Sequence, residues 1–335
     1  MKLLLGVDGG GTKADYGLFT KEGELIDYLH TTSRSHESLA GGFEEAEVLM
    51  LKDLDYLMQK HGINPSDVTA AFGLAGIDTP AQRKIIEASI QKVGFADFVV
   101  SNDSVLGIKA GCPSGIGICS INGTGTVASG INEQGDILQV GGIGMVTGDY
   151  AGGGFLSTLA VNSVYNYYER CGEYTVMVER IMKVMEADTA QDLLERIYHK
   201  FIQCRDQDKM IVTILMESAL EGDKIAADIV KKAALEMAKS VSGCIQHLAF
   251  KKEPDVVLAG SLWTKVKNPL MLETFIENVH KYSGYAIKPR ILDVVPMVGA
   301  VIWALELSQN APATHEQREC IRMNMKNHIS AKALK

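Results

Sequence analysis

The sequence predicts an α/β protein built from two related halves. Three observations carry that prediction. Short apolar runs of strand length alternate with longer stretches at helical spacing. Near the start, a three-strand meander is interrupted by a glycine-rich polar turn. The same meander begins again near residue 115, with landmarks at a nearly fixed offset: Gly17 and Gly130 lie 113 residues apart, Gly23 and Gly135 lie 112 apart. A supersecondary unit repeated in this way implies two like domains. Chance likeness of two meanders is the competing explanation. The length of 335 residues also suits two domains at roughly 100–200 residues each.

The elements follow in order. Residues 3–8 form an apolar run ending in Asp-Gly-Gly-Gly-Thr-Lys. Residues 14–19 and 24–31 read as strands joined by the turn Lys21-Glu22-Gly23. A helix over 44–61 places Val48, Leu51, Leu54 and Met58 on one face. Residues 68–75 are a buried strand, 80–93 a helix and 95–102 another buried strand, with a helix starting near Asp103. In the second half, 115–121, 127–132 and 136–140 read as strands around the turn Asn122-Gly123-Thr124-Gly125-Thr126. Long helices follow; one carries Ile225, Ile229, Ala233, Met237, Val241, Cys244 and Leu248 at helical spacing. A last buried strand over 255–259 precedes Gly260-Ser261, 291–295 offers one more, and 298–307 is a buried helix.

Composition removes other classes. The chain is 46% hydrophobic and 22% charged, an ordinary globular balance. A net charge of -8 repels phosphate backbones, so no nucleic-acid partner is expected. No apolar run approaches the roughly 20 residues of a membrane span, and the apolar start meets Gly6 and Asp8 too early for a signal peptide. Six cysteines without a CxxC pair suit a reducing cytoplasm. The eight histidines form no metal-binding spacing.

Two glycine motifs invite nucleotide readings, and each fails its context. Gly6-Val7-Asp8-Gly9-Gly10-Gly11-Thr12-Lys13 nearly matches a P-loop, and Gly123-Thr124-Gly125-Thr126-Val127-Ala128 fits a dinucleotide fingerprint. Both of those motifs open a helix, whereas a strand follows here in each case. What remains is a hairpin turn of small residues in each half. Successive glycines let backbone N–H groups converge on an anion. Thr12, Thr124 and Thr126 add hydroxyls and Lys13 a positive charge. Two facing turns would hold a polyphosphate; the plainer alternative is two tight hairpins using glycine for φ > 0. Asp103, where a buried strand meets a helix, is read equally as a functional carboxylate or as a helix N-cap shared with Asn102.

With these residues in place, the chain resembles the actin/sugar-kinase/heat-shock chaperone superfamily. The two glycine turns resemble its phosphate motifs, Asp255-Val256-Val257-Leu258-Ala259-Gly260-Ser261-Leu262-Trp263 its adenosine motif, and Val298-Gly299-Ala300 the start of its second connecting helix. Leu74-Ala75-Gly76-Ile77-Asp78, Ser101-Asn102-Asp103-Ser104 and Gly141-Gly142-Ile143-Gly144 leading to Gly148-Asp149 resemble the N-acetylglucosamine kinase-like group of the BadF/BadG/BcrA/BcrD-type ATPases. The likeness runs from Leu4 to about Leu307.

The resemblance implies two ribonuclease-H-like, actin-like ATPase domains around an interdomain cleft. Residues 1–107 with about 308–335 would form one domain and 108–307 the other. It implies ATP and Mg²⁺ as cofactors and a small-molecule sugar as substrate, with a homodimer as the assembly considered. By the same resemblance Asp103 is the catalytic base, ionised at neutral pH without any raised pKa, and Asp8 holds the metal. Gly10, Gly11, Thr12, Lys13 and Gly123, Thr124, Gly125, Thr126 bind the phosphates; Gly260 and Ser261 bind the nucleoside. Ser35, His36, Gly76, Asp103, Gly142 and Asp149 contact the sugar, an N-acetylated hexosamine phosphorylated at its 6-hydroxyl. The sugar motifs depart from the family pattern at Ser35, Val127, Ile143 and Tyr150-Ala151-Gly152. Two alternatives stay beside this one. A BadF-type ATPase that activates a reductase or dehydratase would use cysteines such as Cys112 and Cys119, which read here as core packing. A non-catalytic sugar sensor would have lost its carboxylates, which Asp8 and Asp103 argue against.

Overall fold

The computed structural model describes residues 2–333. The first half runs β1 (Leu3–Gly9), β2 (Lys13–Thr20), β3 (Leu25–Thr32), α1 (Gly42–His61), β4 (Val68–Leu74), α2 (Pro80–Gln91), β5 (Asp97–Ser101) and α3 (Ser104–Gly111). The second half runs β6 (Gly117–Asn122), β7 (Thr126–Ile131), β8 (Ile137–Gly141), α4 (Gly153–Glu169), α5 (Met177–Met185), α6 (Ala190–Arg196), α7 (Asp208–Leu220), α8 (Lys224–Leu248), β9 (Val256–Ala259), α9 (Pro269–Ser283) and β10 (Arg290–Ile291). Two helices close the chain, α10 (Met297–Gln309) and α11 (His315–Ala333).

The strands form two five-stranded sheets of identical topology, β3-β2-β1-β4-β5 and β8-β7-β6-β9-β10. In each, the first three strands are antiparallel and the last two run parallel to the first. The repeat read from glycine spacing is thus a repeat of topology. The residues after Lys13 are strand, so the P-loop geometry is absent here.

Central strands are buried on both faces and read as continuous apolar runs. In β1, Leu3, Leu5 and Val7 face the core under α1 and α2, while Leu4 faces α10. Gly6 shares that second face because a Cβ there would overlap the backbone nitrogen of Val301. The apolar stripe of α1 is Ala46, Met50, Leu54, Leu57 and Met58, and Val48 is 65% exposed. The expected stripe through Val48 is therefore rotated about the helix axis. The strand expected over 291–295 shrinks to a two-residue pairing, Arg290–Ile291.

Helix α10 lies on the first sheet, against β1, β2, β4 and β5, and also against α3. Gly299 permits this approach: a Cβ there would overlap the Leu106 carbonyl oxygen of α3. Helix α11 then braces α3 from its far end. Arg318 Nη1 donates to the Lys109 carbonyl at 2.9 Å, and Arg322 donates to the Ala110 carbonyl. These guanidinium groups satisfy carbonyls that a helix end otherwise leaves open. By packing, then, the return to the first sheet begins at Met297 rather than at 308. Cys112 and Cys119 are buried in the apolar cluster between α3 and β9. Among the described residues, no helix is long and apolar enough to cross a membrane.

Candidate functional site

The first glycine turn closes the β1–β2 hairpin, with Gly10 N–H donating to the Lys13 carbonyl at 2.9 Å. Its flanking aspartates, Asp8 and Asp15, are register partners on β1 and β2. Asp15 is fully buried and saturated: Lys13 Nζ, Tyr28 Oη and His30 Nδ1 lie at 2.6, 2.5 and 2.6 Å from its oxygens. Asp8 differs. It too is buried, yet among the described residues no side chain donates to its carboxylate. Burial, the Asp103 carboxylate and the Asp15 carboxylate push Asp8 up to about 8, against a weaker pull from Lys13.

The second turn closes β6 and β7, with Gly123 N–H donating to Gly125 carbonyl at 2.9 Å. It rests on the start of α4: Gly153 N–H donates to the Gly123 carbonyl at 2.8 Å. A Cβ at Gly152 would collide with the Thr124 carbonyl oxygen, so this contact requires glycine. On the other side of the turn, Cβ atoms at Gly123 or Gly125 would meet only open space. The turn therefore presents a bare backbone cradle to the cleft.

Between the turns stands the junction of β5 and α3. Asn102, not Asp103, caps α3: Asn102 Oδ1 accepts the Ser104 N–H at 3.0 Å and the Ser104 hydroxyl at 2.5 Å. Asp103 makes no side-chain cap bond. Its carboxylate is left for other work, and the two readings left open at this position separate onto two adjacent residues. Asp103 is half-buried and lines the cleft. Burial and the Asp78 carboxylate raise it to about 6, the Ser104 backbone N–H opposing. That corrects the expectation of an unshifted base; the group is still ionised at neutral pH.

Two cavities meet at Gly123 and Thr124. One, of about 360 Å³, is lined by Gly11, Thr12, Gly76, Asp78, Asp103 and the turn 123–126, with Glu37, Ser38 and Gly142 at its edge. The other, of about 470 Å³, lies between α4, α7 and the turn after β9, and Ser261 lines it. Its remaining wall includes Asp208, Lys209, Val212, Thr213, Met216 and Lys265. Arg205 fixes that wall: its Nε pairs with Asp208 Oδ2 at 2.7 Å and its Nη2 reaches the Gly154 carbonyl at 2.5 Å.

Other expected site residues line neither cavity. Gly260 has φ +88°, and a Cβ there would strike the Asn122 backbone; it shapes the turn that presents Ser261. Lys13 is engaged with Asp15. Ser35 is buried and donates to the Ala75 carbonyl at 3.2 Å. The His36 ring stacks on Phe43 with centroids 3.8 Å apart. Asp149 ties the glycine loop together: its Oδ2 accepts from Gly142 N–H at 2.9 Å, Gly144 N–H at 2.6 Å and Thr147 Oγ1 at 3.1 Å. The α7 residues carry no motif, so the sequence reading missed them; the only available signal was a mostly apolar helical stretch just before the long α8.

These features fit a nucleotide and a divalent cation. The bare glycine cradle suits phosphate oxygens. An unpartnered buried carboxylate, Asp8, suits a hard cation with oxygen ligands.

The model of the BadF/BadG/BcrA/BcrD ATPase family matches residues 5–304. An N-acetylmuramic acid/N-acetylglucosamine kinase of Clostridium acetobutylicum is 25% identical over 260 residues, 77% of this chain and 84% of its own. An N-acetyl-D-glucosamine kinase of Dictyostelium discoideum is 23% identical over 320 residues, 91% and 98% of the two chains. Among solved structures, a candidate N-acetylglucosamine kinase of Chromobacterium violaceum superposes with a TM-score of 0.66 at 18% identity, covering 91% of this chain and 99% of that one. This last likeness establishes a common two-domain fold.

Proposed function

The chain belongs to the BadF/BadG/BcrA/BcrD ATPase family, and from that premise we propose that it is an ATP-dependent sugar kinase. Its acceptor is an N-acetylated hexosamine, phosphorylated at the 6-hydroxyl. One observation carries this reading: two cavities share Gly123 and Thr124, and one of them ends at Asp103. A nucleoside in the larger cavity would send its phosphates across the 123–126 turn toward a hydroxyl beside that carboxylate. The names of the two sequence relatives agree.

Each residue then has a task. Backbone N–H groups of the 9–13 and 123–126 turns and the hydroxyls of Thr12, Thr124 and Thr126 hold phosphate oxygens. Asp8 would hold Mg²⁺, and the cation would supply charge neutralisation on the phosphates. Asp103 orients the attacking hydroxyl and accepts its proton. The first-half and second-half walls close over the sugar to exclude water, which would otherwise divert the phosphate. The activator reading needs accessible cysteines at a subunit boundary, whereas Cys112 and Cys119 are enclosed in the core.

The test is ADP release by purified protein over a panel of hexoses, amino sugars and N-acetylated sugars. Sugar-dependent release with one of them is the expected result. ATP turnover without sugar, in protein that carries iron, would favour the activator instead.

A further inference from the structure

The cleft beside Asp103 is one-sided in charge. Its charged lining residues are Glu37, Asp78 and Asp103, and no lysine, arginine or histidine lines it. The nearby Lys13 is bound to Asp15 and does not line the cavity. Asp78 is bonded, but only to neutral amides: its Oδ1 accepts from Asn102 Nδ2 at 3.1 Å and Gln139 Nε2 at 2.6 Å. His36 and Glu37 both stand against Gly76, whose φ is +82°: a Cβ there would overlap His36 Cε1 first and the Glu37 side chain next, although the His36 ring does not line the cavity. Neither Glu37 nor Asp78 forms an ion pair among the described residues. Opposing like charges in a partly enclosed site cost far more than in water.

We infer that this cleft selects its sugar by charge, admitting neutral or amine-bearing hexosamines and rejecting those that carry a carboxylate. The inference rests on the sugar-kinase reading and narrows its substrate class. It separates this chain from the Clostridium relative, whose name includes an acidic sugar. An N-acetyl or a protonated amino group brings hydrogen-bond donors to Glu37 and Asp78. N-acetylmuramic acid keeps the N-acetyl group but adds a lactyl carboxylate on the neighbouring carbon, which would meet carboxylates of its own sign and no lysine or arginine in the lining.

The test compares N-acetylglucosamine, glucosamine and N-acetylmuramic acid as acceptors at low ionic strength. The kcat/KM for N-acetylmuramic acid is expected to be at least about tenfold below that for N-acetylglucosamine, a modest effect for like-charge opposition. The gap should narrow as added salt screens the field. It should also narrow in Glu37→Gln, an exposed position whose change does not threaten the fold, and in Asp78→Asn. Equal use of the acidic sugar would overturn the inference. So would a gap that neither salt nor either substitution moves, which would mean exclusion by shape. If no sugar is phosphorylated, the kinase reading fails, and calorimetric titration of the same three sugars still reports the charge preference. There, tighter binding of the neutral or amine sugar supports the inference; equal affinity, or no binding by any of them, overturns it.

Discussion

Ser129 and Gln139 stand opposite each other in register on β7 and β8, and each holds a partner from the first half. Ser129 Oγ meets Ser104 Oγ at 2.6 Å, and Gln139 Nε2 donates to Asp78 at 2.6 Å. Asn102 joins the two contacts, bonding both Ser104 and Asp78. The result is a closed polar ring that ties the two halves at two points and contains the neighbour of Asp103.

Opening that ring should loosen the cleft. In Gln139→Ala, Asp78 loses one amide and one tie between the halves. A hydrogen bond to a charged group is worth about 1.5–3 kcal/mol, so the sugar KM should rise by roughly tenfold or more, with the ATP KM nearly unchanged. Small-angle scattering should find the free variant more expanded than wild type. Equal losses for both substrates would indicate general misfolding instead.

Asp103→Asn should lower kcat by about 10²–10⁴-fold, the usual cost of removing a general base. Nucleotide affinity should hold, because Asn102 rather than Asp103 caps α3. With its carboxyl raised to about 6, wild-type activity at Mg²⁺ concentrations that saturate Asp8 across the range should fall as the pH drops through that value. The variant should lack this acid limb. A variant retaining more than roughly a tenth of wild-type kcat, against that general-base magnitude, would shift attention to Asp78.

Asp8→Asn should separate stability from turnover. The folded carboxyl titrates near 8, above its ordinary value, so the folded state binds the proton more tightly than the unfolded chain. That contribution to stability is complete at low pH and is lost as the pH rises toward 8. In EDTA above neutrality, Asp8→Asn should therefore raise the melting temperature, while Mg²⁺-dependent turnover falls and sugar binding persists. A lower melting temperature in EDTA at that pH would contradict the account of Asp8 as a buried, unpartnered charge.

Gly299→Ala should be costly although it adds one methyl group to a helix. The new Cβ would overlap the Leu106 carbonyl oxygen, which is backbone and cannot swing aside. Overpacking of this kind costs about 1–3 kcal/mol, read as a lower denaturation midpoint at unchanged slope. Because α3 must shift to make room, kcat should fall with it.

Much of this arrangement was legible in the sequence. The two meanders, their glycine turns and the strand–Asp103–helix junction depend on local patterns, and local patterns survive in a linear reading. The residues that escaped depend on tertiary partners. Nothing in the spacing of Val212, Thr213 and Met216 says that their side of α7 faces a cavity rather than core. Asp149 is taken by resemblance as a sugar contact, yet backbone N–H groups of its own loop absorb one of its oxygens. The burial of residues 298–307 was visible in their composition, but which sheet they cover was not. That choice is made by Gly6 and Gly299, whose missing side chains let α10 lie against β1 and α3.

The placement of α10 has a consequence for how the chain is made. The face of the first sheet that carries Leu4, Phe19 and Ala71 is covered by Val298, Val301 and Leu305, which are synthesised between 227 and 301 residues later. Until they emerge from the ribosome, that face has no partner layer, and such transiently bare apolar surface is what chaperones bind. The second sheet, by contrast, gathers its helical cover from α4 to α9 before α10 appears. Assembly should therefore run against the order of synthesis, the second half settling first and the first half closing onto it through α10. A fragment ending after α3 would expose that face and aggregate, though it contains every strand of its sheet.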